Sequence, residues 1–293
     1  MQTDMTKVLF IVNPVSGGID KTPFLKTVPE VLGDGFELEI RETGYAGHAS
    51  LLARDSDADI VVAVGGDGTV NEIASELAGS GRTMGIIPFG SGNGLAYHLG
   101  LGTDRRKALE CIRDMSVETI DCAEMDSHKF FCTCGVGLDA AVGVQFAELA
   151  GRGLHNYVKS TVKVWKDFKP EHYTLVIDGE SMELDAELIT VANANQWGNR
   201  AYIAPMASLT DGLLDVAVIS PVNLLQVPPL AGLLMTRHLD RSRKVHYFRG
   251  KSVDIHRSGP GPAHYDGEPL ALGADIEVRM IPRALRVIVP RHG

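Results

Sequence analysis

Apolar residues follow two patterns along this chain, and the change between them falls near residue 130. In the first stretch, short and fully apolar runs stop at glycine or asparagine: Lys7-Val8-Leu9-Phe10-Ile11-Val12 before Asn13-Pro14, Asp59-Ile60-Val61-Val62-Ala63-Val64 before Gly65-Gly66, and Met84–Pro88 before Gly90. Runs without polar alternation suit strands buried on both faces. Helical spacing over Pro23–Leu32, His48–Arg54, Thr69–Leu77 and Leu95–Leu99, with Phe36–Glu42 as a further strand, completes a βαβ alternation. This predicts an α/β domain with a largely parallel sheet.

From Phe130 onward, glycine-punctuated strands take over. One amphipathic helix is expected around Leu154–Phe168, followed by strands at Tyr173–Ile177, Glu183–Ala192, Leu214–Ile219, Ser252–His256, Asp275–Met280 and Arg286–Val289. No helix separates the last three, so the second domain should be β-rich. The expected division is an α/β domain over 1–125 and a β-rich domain over 126–281, with 282–293 open to returning to the first.

A length of 293 residues fits two domains, at about 150 residues each. With 44% hydrophobic and 22% charged residues the composition is globular. The net charge of −9 opposes a long run of phosphates, and nucleic acid is not expected as a partner. No stretch reaches the roughly 20 continuous apolar residues of a membrane span, and Met1–Lys7 lacks the pattern of a signal peptide. The expected location is the cytoplasm. Cys111, Cys122, Cys132 and Cys134 lack zinc-ligand spacing and read as small core residues.

The candidate chemistry lies where the buried strands end. Gly65-Gly66-Asp67-Gly68-Thr69-Val70-Asn71-Glu72 stands between an apolar strand and a helix. In open α/β sheets ligands collect beyond the carboxyl ends of strands, where glycines let backbone amides approach phosphate oxygens at a helix N-terminus. A carboxylate there would repel phosphates unless a cation intervened, so Asp67 suggests a magnesium site for a nucleoside triphosphate, a helix cap being the alternative. Gly90-Ser91-Gly92-Asn93-Gly94 and Asn13-Pro14-Val15-Ser16-Gly17-Gly18 add two more turns after buried strands. Three loops at one sheet edge point to a nucleotide. Neither the P-loop nor the Rossmann fingerprint is present.

Together these loops resemble the diacylglycerol kinase catalytic domain family, which includes bacterial lipid kinases, sphingosine kinases and ceramide kinases. The resemblance continues through Thr43 with Gly47-His48-Ala49, Gly135-Val136-Gly137-Leu138-Asp139, Pro205–Ser208 with Asp211–Val216, and Tyr265-Asp266-Gly267-Glu268-Pro269. It implies an ATP-dependent lipid kinase with a β-sandwich-like C-terminal domain and an active site between the domains. Asn13, Ser16, Thr43, Gly66, Gly68, Thr69, Glu72, Ser91 and Asn93 would line the nucleotide site, and Asp67 would organise Mg2+ and phosphates. Asp266 and Glu268 would stand near the acceptor, with Glu268 the candidate general base. Asp211 resembles a structural cation position and Asp121 an acidic support to the active site; plain turn or strand-edge roles stay open for both. His48 and His98 lack an acidic partner in local sequence and are poor base candidates.

Relatives often carry Asn-Asp at the end of the second glycine loop, whereas this chain has Asn93-Gly94, as in the sphingosine and ceramide kinase branch. The lipid alcohol therefore stays open among diacylglycerol, sphingoid bases and other lipid alcohols. Rival readings are another kinase sharing GGDGT, either an NAD kinase or a phosphofructokinase, against which the first and last motifs count, and a nucleotide-binding regulator without catalysis. Leu224–Met235 followed by Arg237, Arg241, Arg243, Lys244, Arg249 and Lys251 suggests peripheral membrane contact, with a core helix and a solvated basic edge as the alternative. A homodimer is a further open possibility.

Overall fold

The computed structural model describes residues 5–147, 164–165 and 168–291. They group into two units, Met1–Ile120 with Arg283–Gly293, and Asp121–Pro282.

The first unit carries β1 (Thr6–Val12), β2 (Phe36–Glu42), β3 (Ile60–Gly65) and β4 (Thr83–Pro88), hydrogen-bonded in the order β2-β1-β3-β4 and all parallel. Every residue of β3 and β4 is buried, which is why these strands are apolar without alternation. The helices are α1 (Thr22–Leu25), α2 (Val28–Leu32), α3 (His48–Arg54), α4 (Asp67–Leu77), α5 (Gly94–His98) and α6 (Arg105–Asp114). The single helix expected over Pro23–Leu32 is two, because Pro29 brings no amide proton and begins a new first turn. At α6, Asp104 caps the start by accepting the Arg106 and Lys107 amides at 3.1 and 3.2 Å. Going from β1 out to β2 and back to β3 reverses the winding between β1 and β3, the position at which such sheets open a ligand crevice.

The second unit is a sandwich of antiparallel strands. After β5 (Val117–Met125) and β6 (His128–Phe130) come β7 (Thr133–Gly137), α7 (Leu138–Ala147), β8 (Glu171–Ile177), β9 (Glu180–Ala186), β10 (Leu188–Ala192) and β11 (Leu214–Ile219). Then follow α8 (Val227–Met235), β12 (Val245–Gly250), β13 (Ser252–Arg257), β14 (Gly261–Tyr265), β15 (Glu268–Leu272) and β16 (Asp275–Ile288). One layer runs β16-β13-β8-β9 and the other β12-β11-β10-β7-β14-β15. Alternate residues meet between them: Tyr173, Leu175 and Ile177 of β8 and Val253 and Ile255 of β13 pack on Ile189, Val191, Leu214, Val216 and Val218. The expected single strand Glu183–Ala192 breaks at buried Glu187, with β9 in one layer and β10 in the other. The two expected C-terminal strands are one, β16, whose residues from Arg283 on belong to the first unit, where Arg286 and Val287 pair in parallel with Thr83 and Met84. The helix expected over Leu154–Phe168 lies largely outside the described residues.

All four cysteines are free, and Cys122, Cys132 and Cys134 are buried. Burial pushes the Cys122 thiol up to about 12 and holds that of Cys134 well above its usual value, consistent with inert core residues.

Candidate functional site

Three loops in the first unit interlock at the carboxyl ends of β1, β3 and β4. The Asn13 amide donates to the Val64 carbonyl at 3.0 Å, and its Nδ2 donates to Thr69 Oγ1 at 3.1 Å, so the first loop is tied to the second. Ser16 Oγ donates to the Asn13 carbonyl at 3.2 Å. Gly17 has φ 66°, and a Cβ there would stand 1.9 Å from the Phe89 carbonyl oxygen. A Cβ on Gly90 would stand 2.6 Å from Gly66 Cα. These glycines let three backbones touch, which no side chain would permit.

Asp67 joins the second loop to the third. One carboxylate oxygen accepts the Asn93 amide at 2.8 Å and the other the Gly94 amide at 2.7 Å. A Cβ on Gly92 would lie 2.5 Å from that carboxylate. Asn93 sits in the left-handed region at φ 50° and clasps Gly90 from both sides, Oδ1 accepting its amide at 2.9 Å and Nδ2 donating to its carbonyl at 2.7 Å. Gly66, Asp67, Gly68 and Thr69 thus start α4 beside the exposed Ser91, with the first-turn amides of α4 at the same edge.

The loop after β2 stands alongside, where the Thr43 amide donates to the Val12 carbonyl at 2.8 Å. Glu72, one turn into α4, points into that loop. Its oxygens accept the Gly47 amide at 2.9 Å and the Ala49 amide at 3.0 Å, so Glu72 anchors the start of α3. His48 Nδ1 accepts the Gly44 amide at 3.0 Å and its ring stacks on Tyr45. The sequence pattern carried no sign of Lys21, which is 4% exposed and donates to the carbonyls of Pro14, Ser16 and Ile19 at 3.2, 2.8 and 3.1 Å. Burial, and secondarily the Arg105 charge, holds its ammonium below the usual lysine value. Arg105 lies over the Phe89 ring at 3.9 Å. A lysine in a polar loop looks solvated in sequence, and only the curl of the first loop shows otherwise.

The second unit holds the remaining candidates. Asp266, at φ 46° in the turn between β14 and β15, accepts three backbone amides, Phe131 at 2.9 Å, Cys132 at 2.8 Å and Thr133 at 3.1 Å. It therefore fixes the hairpin. Glu268, two residues on, is exposed, and its side chain makes no hydrogen bond or ion pair with the described residues. Asp139 of the glycine-rich segment is buried, receiving Thr190 Oγ1 at 3.0 Å and lying 3.1 Å from His264 Nε2. Asp121 is also buried and accepts the Gly212 amide at 2.7 Å, securing the turn that carries Asp211.

We expect Asp266→Ala to leave three amides without a charged acceptor, at a cost of about 3 kcal/mol or more. That corresponds to a fall of roughly 6–12 °C in Tm at about 2–4 °C per kcal/mol. A thermal scan showing an unchanged Tm would rule out this anchoring role.

Asp211 departs from its expected part as a cation ligand. The Arg249 guanidinium pairs with its Oδ2, and Arg249 Nε reaches Asp215 Oδ1 at 3.1 Å. Burial holds the Asp215 carboxyl above its usual value despite that partner. A guanidinium already supplies the positive charge between these carboxylates, so the loop does not fit a resident metal ion. With the other candidate cation position removed by Asp67→Asn, melting of the chain is expected to be the same in a chelator and in excess magnesium or calcium. Arg249→Met, which strands a buried carboxylate, should melt lower and regain stability on addition of divalent cation. Chelator sensitivity that persists in Asp67→Asn would restore the metal at Asp211.

Glycine loops locked at the edge of a parallel sheet in one unit, and an antiparallel sandwich bearing an exposed carboxylate, Glu268, in the other, describe a kinase of two-unit architecture. Comparison with known proteins agrees. The model for the diacylglycerol kinase catalytic domain matches residues 7–125, and that for the YegS C-terminal NAD kinase beta sandwich-like domain matches 132–289. The diacylglycerol kinase of Mycobacterium tuberculosis is 31% identical over 256 residues, covering 84% of this chain and 81% of that protein. That of Bacillus subtilis is 27% identical over 278 residues, 90% of each. A crystal structure of a diacylglycerol kinase from Bacillus anthracis aligns with 99% of this chain and 98% of its own at a TM-score of 0.74 and 22% identity, a likeness of fold. The chain belongs to the diacylglycerol kinase family. It is a phosphotransferase with an alcohol acceptor.

Proposed function

We propose that this chain transfers the γ-phosphoryl group of ATP to a hydroxyl of a lipid, with diacylglycerol as the first substrate to try and sphingoid bases as the second. The observation that carries the reading is the locking of three glycine loops through Asn13, Asp67 and Asn93, which leaves their backbones open to phosphate oxygens. The relatives named diacylglycerol kinase favour that lipid.

Each Asp67 oxygen receives one amide from the third loop. The carboxylate stands at the first turn of α4, among the backbone amides of the glycine loops, where a cation between it and the phosphates would balance its charge, so Asp67 fits a magnesium ion. Bound there, Mg2+ would neutralise charge on the β- and γ-phosphates. The lipid hydroxyl attacks the γ-phosphorus, the bond from that phosphorus to the bridging oxygen breaks, and ADP leaves. Glu268, exposed and with its side chain unpaired among the described residues, takes the hydroxyl proton, while Asp266 holds the hairpin that presents it.

The test is transfer of label from γ-labelled ATP, with magnesium, to separate samples of diacylglycerol, a sphingoid base and NAD. Label in a lipid phosphomonoester supports the proposal and names the lipid. Label in NADP instead would transfer the chain to the NAD kinase reading, whose fold is represented by an Archaeoglobus fulgidus NAD kinase aligning at a TM-score of 0.53 and 13% identity.

A further inference from the structure

Helix α8 is apolar on two opposite sides. Leu230, Leu233 and Leu234 pack against the core cluster that contains Ile203, Ala207, Ala217 and Ile219. None of the helix residues is fully buried, and no charged residue occurs from Pro221 to Thr236. The side facing away from the core is therefore Pro228, Ala231 and Met235, with Leu224 and Leu225 just before it. Leu225 is 85% exposed and Leu224 61%. A helix on an ordinary solvated surface carries charged or polar residues there.

The exposure is built into the chain. Asn223 Oδ1 accepts the amides of Leu225 and Gln226 at 3.1 and 3.2 Å, and Gln226 Oε1 accepts the Asn223 amide at 3.0 Å. This reciprocal turn holds both leucines at its tip. At the other end the Tyr202 amide donates to the Leu234 carbonyl at 3.1 Å, and Arg237 donates to the Pro205 carbonyl at 3.2 Å. These bonds set Met206, 79% exposed, in the segment tied to the helix end. Arg241 and Arg243 follow, both exposed and without a side-chain partner among the described residues. From Arg237 to Lys251 basic residues face a single acid, Asp240, in a chain of net charge −9.

We infer that Leu224, Leu225 and the outer side of α8 dock on an anionic lipid bilayer, the leucines entering the interface and Arg241 and Arg243 meeting the headgroups. A shallow apolar tip beside basic residues in an otherwise acidic chain is the charge and polarity profile of such a surface. The choice of a bilayer over a protein partner rests on the lipid-kinase proposal above. Lys244, whose ammonium donates to the Pro221 carbonyl at 2.9 Å, supports the turn and lies outside the contact.

Co-sedimentation of the full chain with phosphatidylcholine vesicles, with and without phosphatidylglycerol, tests the inference. The native chain is expected to bind the anionic vesicles and to release in high salt. Arg241→Glu with Arg243→Glu should weaken that binding by more than about 25-fold, roughly fivefold for each basic residue lost and further for the repulsion of each added carboxylate. Leu224→Ser with Leu225→Ser should abolish it while Tm and activity on a dispersed short-chain lipid stay unchanged. Unaltered vesicle binding in both variants overturns the inference. So does a dimer, seen by size exclusion, that dissociates in the leucine variant, since the patch then belongs to a second copy of this chain. Lack of activity on every lipid would instead defeat the kinase proposal, leaving the vesicle result to be read separately.

Discussion

Asp67→Asn is expected to lower the rate of phosphoryl transfer by at least roughly a hundredfold to a thousandfold, the range found when one group that stabilises transition-state charge is removed. On charge alone the substitution would leave the fold untouched. The geometry adds a second consequence, because both carboxylate oxygens receive backbone amides, from Asn93 and Gly94. An asparagine amide group can accept only one of them and turns a donor toward the other. We therefore expect the third loop to loosen, seen as faster amide exchange at Asn93 and Gly94 and a Tm lower by a few degrees. Near-native turnover in this variant would remove Asp67 from the chemistry.

Glu268→Gln should also lower the rate constant by about a hundredfold or more, in line with loss of a general base. Here stability and nucleotide affinity are expected to stay at native values, since the Glu268 side chain is exposed and pairs with no side chain among the described residues. The two carboxylates of the hairpin thus separate experimentally: Asp266 variants lose stability and Glu268 variants lose rate. A Glu268→Gln enzyme with native turnover and weakened ATP binding would place that side chain on the nucleotide and leave the base to another group.

The positions of the glycine loops were legible in the sequence because a buried parallel strand must be apolar on both faces and a phosphate-binding turn must lack side chains. Both demands are local. What ties the loops together was not legible: Asp67 reaches residues 26 and 27 positions away, and Asn13 reaches Thr69 across 56. Nor was the anchoring by Glu72 legible, since its oxygens accept the Gly47 and Ala49 amides from 25 and 23 positions away. Asp211 read as a cation ligand because Arg249, 38 positions on, gives no sign in sequence of lying beside it. In the sandwich, the strand pattern foretold β8 and β11, while the exchange of layers at Glu187 was hidden inside a continuous strand-like run.

The central claim is direct transfer of one phosphoryl group from ATP to a lipid hydroxyl. Its most direct measurement is a label balance, in which purified chain, γ-labelled ATP, magnesium and a dispersed short-chain diacylglycerol are sampled over time for ADP, extractable lipid phosphate and inorganic phosphate. The account predicts one labelled lipid phosphomonoester for each ADP formed, with no ADP produced when the lipid is left out. Label recovered only as inorganic phosphate, at a rate indifferent to the lipid, would contradict it.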